Sequence, residues 1–310
     1  MAISRAQLLK ELLPGLNGLF GLSYKSYENQ HTEIFETESS DRSFEEETKL
    51  VGFGAAPVKN EGAALSYDSA QESYTARYVH ETIAMGFSIT EEAVEDNLYD
   101  SLSARYTKAL ARAMAYTKQV KAAAIINNGF SQSFLGGDGV SLFGINGSGT
   151  RTGHPLANGG FNFNSPATGV DLNETAMEAA VIQIQAWTDE RGLLVAAKPR
   201  KLLIPPAYQF VAKRLLGSEL RQGTADNDLN AMRAMGTISQ GYTINNFLTD
   251  ANSWSILTDV PNGLKMFQRV PIKTGLDGDF DTGNVRYRSR ERYSFGWSDA
   301  LAAWSSPGST

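Results

Sequence analysis

Near its C-terminus the chain reads FDTGNVRYRSRERYSFGWSDALAAW, with arginine at every second position: Arg286, Arg288, Arg290 and Arg292. A period of two belongs to a β-strand, whose successive side chains leave on opposite faces. The spacing predicts four guanidinium groups on one face and Val285, Tyr287, Ser289, Glu291 and Tyr293 on the other. Like charges side by side repel, so the basic face needs solvent, phosphate or carboxylates opposite it. Two arrangements satisfy this: a solvated edge strand, or an electrostatic seam that holds another polypeptide segment. Guanidinium suits the seam, because its planar fork pairs with carboxylate or phosphate through two hydrogen bonds.

Composition narrows the chemistry. The 310 residues suffice for one large domain or two ordinary ones. The lack of cysteine excludes disulfides, thiolate metal sites and cysteine nucleophiles. His31, His80 and His154 are far apart and in no metal-ligand spacing, a pattern that fits polar surface or satisfied core residues. Arg5, Lys10 and Glu11 interrupt the apolar start of the chain, which therefore lacks a signal peptide's apolar region. No run of about 18 apolar residues is present to span a membrane. A net charge of −6 disfavours general affinity for nucleic acid. A soluble protein of a cytoplasm, without metal or organic cofactor, is the expectation.

The order of parts is unusual. Leu8, Leu9, Leu12 and Leu13 form one stripe of a short helix expected to start at Ser4 and stop near Pro14-Gly15. From His31 to Thr48 the chain is acidic, with Glu33, Glu36, Glu38, Asp41, Glu45, Glu46 and Glu47 against a single Arg42. No apolar period runs through it, so an extended, solvated arm is expected. Residues 48–56 and 72–89 look like two strands, the second alternating Tyr74, Ala76 and Tyr78 with Thr75, Arg77 and Val79. The stretch PVKNEGAALSYDSAQ between them is a long flexible tip. A two-stranded ribbon has too little core to stand alone, so it must lie on something else.

Thr90 is placed to cap a helix that opens with Glu91 and Glu92. Leu98, Leu102, Tyr106, Ala109, Ala113, Tyr116 and Val120 continue one face of it. Unbroken to about Asn127 it would be about 55 Å long, a rigid spine. A glycine- and asparagine-rich irregular segment follows over 129–170. A further helix is expected over 171–190, capped by Asp171 or Asn173, with Ala176, Ala180, Ile184 and Trp187 on one face and Gly192 as its stop. The run LLVAAKPRKLLIPP reads as two short strands, and Pro205-Pro206 starts another helix. RQGTADNDLNAMRAMG reads as a loop, and short strands alternate with turns from Tyr242 to Pro271.

Motif-like strings add no chemistry. The glycines of Gly144-Ile-Asn-Gly147-Ser-Gly149 are in the wrong order for a dinucleotide loop, and no Gly-Lys pair exists for a P-loop. Asp277, Asp279 and Asp281 resemble half a calcium loop, but Thr282 replaces the turn glycine and Arg288 takes the bidentate acid position, so a polar turn is the better reading.

Taken in order, these parts resemble the major capsid proteins of tailed bacteriophages, whose coat fold is called the Hong Kong 97 type. The resemblance runs over essentially the whole chain. It is densest at GGDGVSLFG, TDERGLLVAAKPRKLLIPPAYQFVAKRLL, LTDVPNGLKMFQR and FDTGNVRYRSRERYSFGWSDALAAW. It implies an α+β fold with an N-terminal arm over 1–43 and an extended hairpin, the E-loop, over 44–89. A peripheral domain built on the spine helix over 90–165 and 265–310, and an axial domain over 166–264, complete it. The resemblance further implies hexamers and pentamers that close an icosahedral shell around double-stranded DNA, bound without sequence specificity. Scaffolding and portal proteins, and decoration or cement proteins, are the implied partners. The protein would be assembled in the host bacterial cytoplasm and reside in the virion. Some relatives cross-link lysine to asparagine between subunits. Lys59 lies near the hairpin tip, but nothing identifies a partner asparagine or catalytic glutamate.

On this reading the chain is not an enzyme, and its contact candidates are Glu45, Glu46 and Glu47 against Arg286, Arg288, Arg290 and Arg292 of another subunit. Two alternatives stand beside it: an encapsulin-type shell, which encloses enzymes, and a hydrolase built on scattered carboxylates.

Overall fold

A computed structural model of the chain describes residues 5–62, 64–90, 92, 99–144, 151–220, 228–278 and 283–309. Twelve strands lie among them, and two four-stranded sheets organise the rest. The first sheet has the order β1-β10-β11-β4, made of β1 (Glu36–Ser39), β10 (Leu264–Gly278), β11 (Val285–Trp297) and β4 (Glu81–Ile89). The arginine strand is β11, and it runs antiparallel to both β10 and β4. It is therefore an interior strand, and the edge-strand reading is wrong. Its alternation survives intact: Val285, Tyr287, Ser289, Glu291 and Tyr293 are buried, while Arg286, Arg288 and Arg290 are exposed.

Two helices cover the buried face, α1 (Arg5–Lys25) and the spine helix α2 (Tyr99–Asn127). Leu16 and Phe20 of α1, Leu110 and Met114 of α2, and Tyr287 form one core cluster. That packing explains why α1 passes through Pro14 rather than stopping there. Pro14 is exposed, and burial of Leu16 and Phe20 beyond it offsets the hydrogen bond that proline removes. The spine helix is also turned from expectation. Its buried arc holds Thr107, Leu110, Ala111, Met114, Lys118 and Ala122, whereas Tyr106, Tyr116 and Val120 are exposed. The helix start expected at Thr90 falls on Glu91 and the segment 93–98, which lie outside the described residues.

The alternation of β11 forces a charge inward. Glu291 is fully buried, and Lys118 meets it from α2 at 2.9 Å. Tyr24, at the end of α1, donates a hydrogen bond to Glu291 at 3.2 Å and accepts one from Lys118 at 3.2 Å. Burial first, and the Glu291 charge second, push the Tyr24 hydroxyl well above its usual range, so it stays protonated as the donor. Three elements thus meet on one ion pair.

The second sheet has the order β12-β9-β7-β8, from β12 (Ala303–Ser306), β9 (Trp254–Thr258), β7 (Pro199–Ile204) and β8 (Tyr242–Ile244). Helix α3 (Glu174–Gln185) lies in its core through Met177, Ala180 and Ile184, with Trp187, Trp254 and Trp304. Asn173 caps α3 by accepting from the Ala176 N–H at 2.8 Å, one of the two expected caps. Ala176, Ala180, Ile184 and Trp187 are all buried, as their spacing predicts. Pro206 opens a short 3-10 turn that leads into α4 (Gln209–Gly217). Within the segment expected to be a loop, residues 221–227 lie outside the described residues, and α5 (Ala231–Ala234) forms one turn. Residues 193–198 are not a strand: Ala196 takes a left-handed φ of 53°, which breaks extended pairing.

The acidic stretch is more ordered than its charge suggested. It contributes β1, parallel to β10, and then β2 (Phe44–Val51), which pairs with β3 (Gln71–Val79) as the expected hairpin. The alternation in β3 holds, with Ala76 and Tyr78 buried and Arg77 and Val79 exposed. One residue, His80, separates β3 from β4 and moves the chain from hairpin to sheet. The irregular segment includes a short pair, β5 (His154–Pro155) with β6 (Phe161–Asn162). Residues 145–150, with most of the glycine string, and 279–282, with Asp279, Asp281 and Thr282, lie outside the described residues.

Removing Lys118 leaves the Glu291 charge buried without compensation, a loss of roughly 3–5 kcal/mol. Lys118→Met should therefore lower the urea unfolding midpoint sharply. Lys118→Met combined with Glu291→Leu should regain most of it, since an apolar pair strands no charge.

Candidate assembly surfaces

The outward face of β11 is a basic platform with little beside it. Along β10 the register sets Asp277, Gly275, Lys273 and Val270 next to Arg286, Arg288, Arg290 and Arg292. Along β4 it sets Ser88, Gly86, Ala84 and Thr82 there. Asp277 is the single carboxylate among those eight neighbours. Arg288 lies between two glycines, and a Cβ at Gly86 would come within 2.7 Å of the Tyr287 carbonyl oxygen. Bare backbone on either side leaves the Arg288 guanidinium open to whatever lies over the sheet. Arg288 and Arg290 have no ion-pair partner among the described residues. Arg292 is half-buried and reaches the Ser43 carbonyl at 3.5 Å.

The three glutamates of β2 are not equally available. Glu45 accepts a hydrogen bond from Ser40 at 2.6 Å. Glu46 pairs with Arg77, its register partner on β3, at 3.7 Å, with both side chains about half exposed. Glu47 is bound to Lys265 and Ser298. Lys265 is buried and also meets Glu38 at 2.8 Å, so one cation ties β1 and β2 to the first residues of β10. Burial works against its charge, but the hydrogen bonds and charges of Glu38 and Glu47 win and raise its pKa. The acidic stretch, expected to be solvated with Arg42 as its single cation, thus finds Arg77 for Glu46 and Lys265 for Glu47. Arg77 could have been found by pairing the two strands; Lys265, more than two hundred residues away in sequence, could not.

Polar anchors fix the root of the hairpin. Lys49 meets Asp299 at 2.9 Å and the buried Glu190 at 3.5 Å. Arg191 donates to the carbonyls of Gly52 at 3.2 Å and Ser69 at 2.8 Å, clamping both strands where they leave the body. Tyr74 donates to the Ser298 carbonyl at 3.1 Å. Tyr78 packs edge-on against Phe267, over Gly296, where a Cβ would strike its ring at 2.7 Å. Beyond this root the hairpin is left open among the described residues. Phe53 is 61 % exposed, Val58 92 % and Tyr67 91 %. Apolar side chains projected this far from a core mark a surface that another molecule covers.

The arm is latched by His31. Its backbone N–H donates to Gln119 Oε1 of α2, and its Nδ1 lies 2.9 Å from Gln119 Nε2. Gln119 donates there, so the imidazole must be neutral. Burial, and secondarily the charge of Lys118, pull its pKa down to about 4. His80 bridges Ser40 and Ser294, each at 2.9 Å, and burial followed by Arg292 lowers its pKa as well. His154 pairs with Asp138 at 2.6 Å in the interior. The three histidines occupy separate positions, His31 and His80 with partners while the buried His154 Nε2 has none, and among the described residues no group of three or more His, Asp or Glu is arranged to hold a metal ion. No helix among the described residues is long and apolar enough to cross a membrane.

An unfolded chain protonates His31 near pH 6.5, while the folded protein resists until about pH 4. Its contribution is complete above pH 6.5 and is lost as the pH falls toward 4, by about 2 kcal/mol between pH 7.5 and 5. Urea unfolding at these two pH values should show a smaller loss for His31→Gln than for the parent chain. Equal losses would place the titration elsewhere.

A family model described as phage capsid protein matches residues 73–306. No curated protein matches the sequence. Solved structures with a similar fold include the capsid of an empty GTA particle, at 15 % identity, covering 92 % of this chain and 91 % of that one, with a TM-score of 0.57. A virus-like particle from Pyrococcus furiosus is similar over 95 % of this chain and 99 % of its own, at 11 % identity and a TM-score of 0.55. The capsid of the cyanophage P-SCSP1u is similar over 88 % and 85 %, at 12 % identity and a TM-score of 0.54.

Proposed function

Because the chain belongs to the phage capsid protein family, we propose that it builds the icosahedral head of a tailed phage from hexamers and pentamers that enclose double-stranded DNA. Its α+β architecture is the Hong Kong 97-type coat fold; it is a structural protein of the virion that self-assembles into the shell, and not an enzyme. Scaffolding and portal proteins, and decoration or cement proteins on the finished shell, are its further partners in this reading. Assembly takes place in the host cytoplasm. The observation that carries the proposal is the hairpin, anchored by Lys49, Arg191 and Tyr74 yet with Phe53, Val58, Leu65 and Tyr67 exposed. Its apolar tip gains a cover only from a neighbouring subunit.

The same reading assigns 1–43 to the arm, 44–89 to the hairpin, 90–165 and 265–310 to a peripheral domain, and 166–264 to an axial domain. The last strand, β12, then returns to the axial side, where it pairs with β9. An encapsulin-type shell stands as the second reading, because it would share the coat fold. Its particles would hold protein instead of nucleic acid.

Expression of the full chain, with its scaffold where one is needed, should yield closed shells or capsomers in negative-stain images. Light scattering that finds only a 33.7 kDa monomer at every concentration would overturn the proposal. DNA-free particles filled with enzyme would favour the second reading.

The seam belongs to this proposal. Arg286, Arg288, Arg290 and Arg292 face carboxylates across a subunit boundary, with the Glu45–Glu47 cluster as partner. Glu46 leads, because Glu45 and Glu47 are engaged at home and its pairing with Arg77 is long and exposed. An exposed pair contributes only about 0–1 kcal/mol, but a shell repeats it many times. Arg288→Ala and Glu46→Arg should each give capsomers that fail to close. Arg288→Glu with Glu46→Arg should partly restore closure. Normal shells from both single variants would leave the arginine row a solvated face.

A further inference from the structure

The spine helix carries a second apolar row on its outer arc. A helix ordinarily spends its apolar periodicity on the face it buries. In α2 the buried arc holds Leu110, Met114 and Ile126 with four buried alanines and is diluted by Ser103, Thr107, Lys118 and Gln119, while Tyr106 and Tyr116 stand 51 % and 53 % exposed on the outer arc. Each tyrosine is braced by a phenylalanine from another element. Phe87 of β4 lies 5.7 Å from Tyr106, and Phe247, beyond β8, lies 5.7 Å from Tyr116. Ten residues separate the tyrosines, about 15 Å along the axis. Ala109 and Ala113 line the outer arc between them. Two fixed aromatic walls with an alanine floor form a trough, and floor residues this small let a second helix approach at the usual 8–10 Å.

One rim of the trough is charged. Arg105, Lys108 and Arg112 fall on a single edge of the outer arc, all exposed, and none has an ion-pair partner among the described residues. From Ser101 to Asn127 the sequence has no carboxylate at all. We propose that this trough docks an amphipathic helix of a different polypeptide, with apolar residues at i, i+3, i+4 and i+7 and carboxylates along one edge.

The surface chemistry selects that occupant. A phosphate backbone would use the rim but cover the alanine floor and tyrosine walls without gain. The described helices of this chain do not offer the pattern to a second copy. Helix α1 has only Glu11, α4 and α5 have no acid, and α3 sets Glu174 and Glu178 beside one exposed apolar side chain, Ile182.

The test uses the full chain, as capsomers or shells, and a fluorescent 18-residue peptide with leucine along one strip and glutamate along one edge. Its twin has lysine in place of glutamate. The acidic peptide should bind at least tenfold more tightly than the twin, and added salt should weaken it. Tyr116→Glu and Arg112→Glu should each reduce its affinity at least tenfold, and Arg112→Glu should do so without moving the unfolding midpoint. Arg112→Glu should also improve binding of the lysine twin, a gain that a folding defect cannot produce. Equal binding of both peptides, or indifference to Arg112→Glu, would overturn the proposal. So would a DNA duplex that binds and is lost in Arg112→Glu where the acidic peptide finds no site, which would make the rim a nucleic-acid surface. Hydrogen-exchange protection of residues 106–120 in shells of this chain alone would overturn it too, in favour of a second copy. Arg112 lies on the helix layer and Arg288 on the opposite face of the sheet, so a failed seam and a failed trough are read separately.

Discussion

The buried Glu291 carboxylate is the constraint around which the first sheet and its helices are arranged. A strand with arginine at each even position from 286 to 292 must send each odd position inward, and position 291 brings a charge with it. That charge needs a cation from the covering layer, which fixes the rotation of the spine helix so that Lys118 points at the sheet. It also needs a hydrogen-bond donor, which brings the end of α1 down through Tyr24. Once Lys118 is committed inward, the arc with Tyr106 and Tyr116 must turn outward. The outer chemistry of the helix follows from an inner electrostatic demand.

Sequence periodicity identified β11, β3 and α3 because each buries one face against a single partner layer, so pattern and burial coincide. Asn173 and the face of Ala176, Ala180, Ile184 and Trp187 are examples. The spine helix failed the same test for a physical reason. It has an apolar row on each side, and its buried row is diluted by residues with particular partners: Lys118 for Glu291 and Gln119 for His31. Those partners lie far off in sequence, and no local pattern announces them. The acidic arm misled in a related way. Its carboxylates looked solvated, yet Glu38 and Glu47 converge on Lys265, a contact that exists only after β1 and β2 reach β10. Pro14 misled because local propensity was outweighed by burial of Leu16 and Phe20 on α2.

The contact surfaces were legible in kind but not in detail. The arginine row was visible as a row, and the structure adds that glycine on both neighbouring strands strips its centre bare. The glutamate cluster was visible as a cluster, and the structure separates its members by what each already holds. Family membership supplies the shell, while the side-chain geometry indicates which of its surfaces are already occupied at home.

The single-residue join at His80 has a mechanical consequence. Because β3 runs on into β4 with nothing slack between them, tension applied to the hairpin by a neighbour is delivered along the backbone to the end of β4. There it meets nine residues paired in unbroken register with β11, from Glu81↔Tyr293 to Ile89↔Val285. A pull along the strand axis loads that ladder in shear, so its hydrogen bonds resist together instead of peeling apart singly. The interior position of β11 passes the load on to β10. A container stretched from within would therefore strain a whole sheet before it strained any one joint.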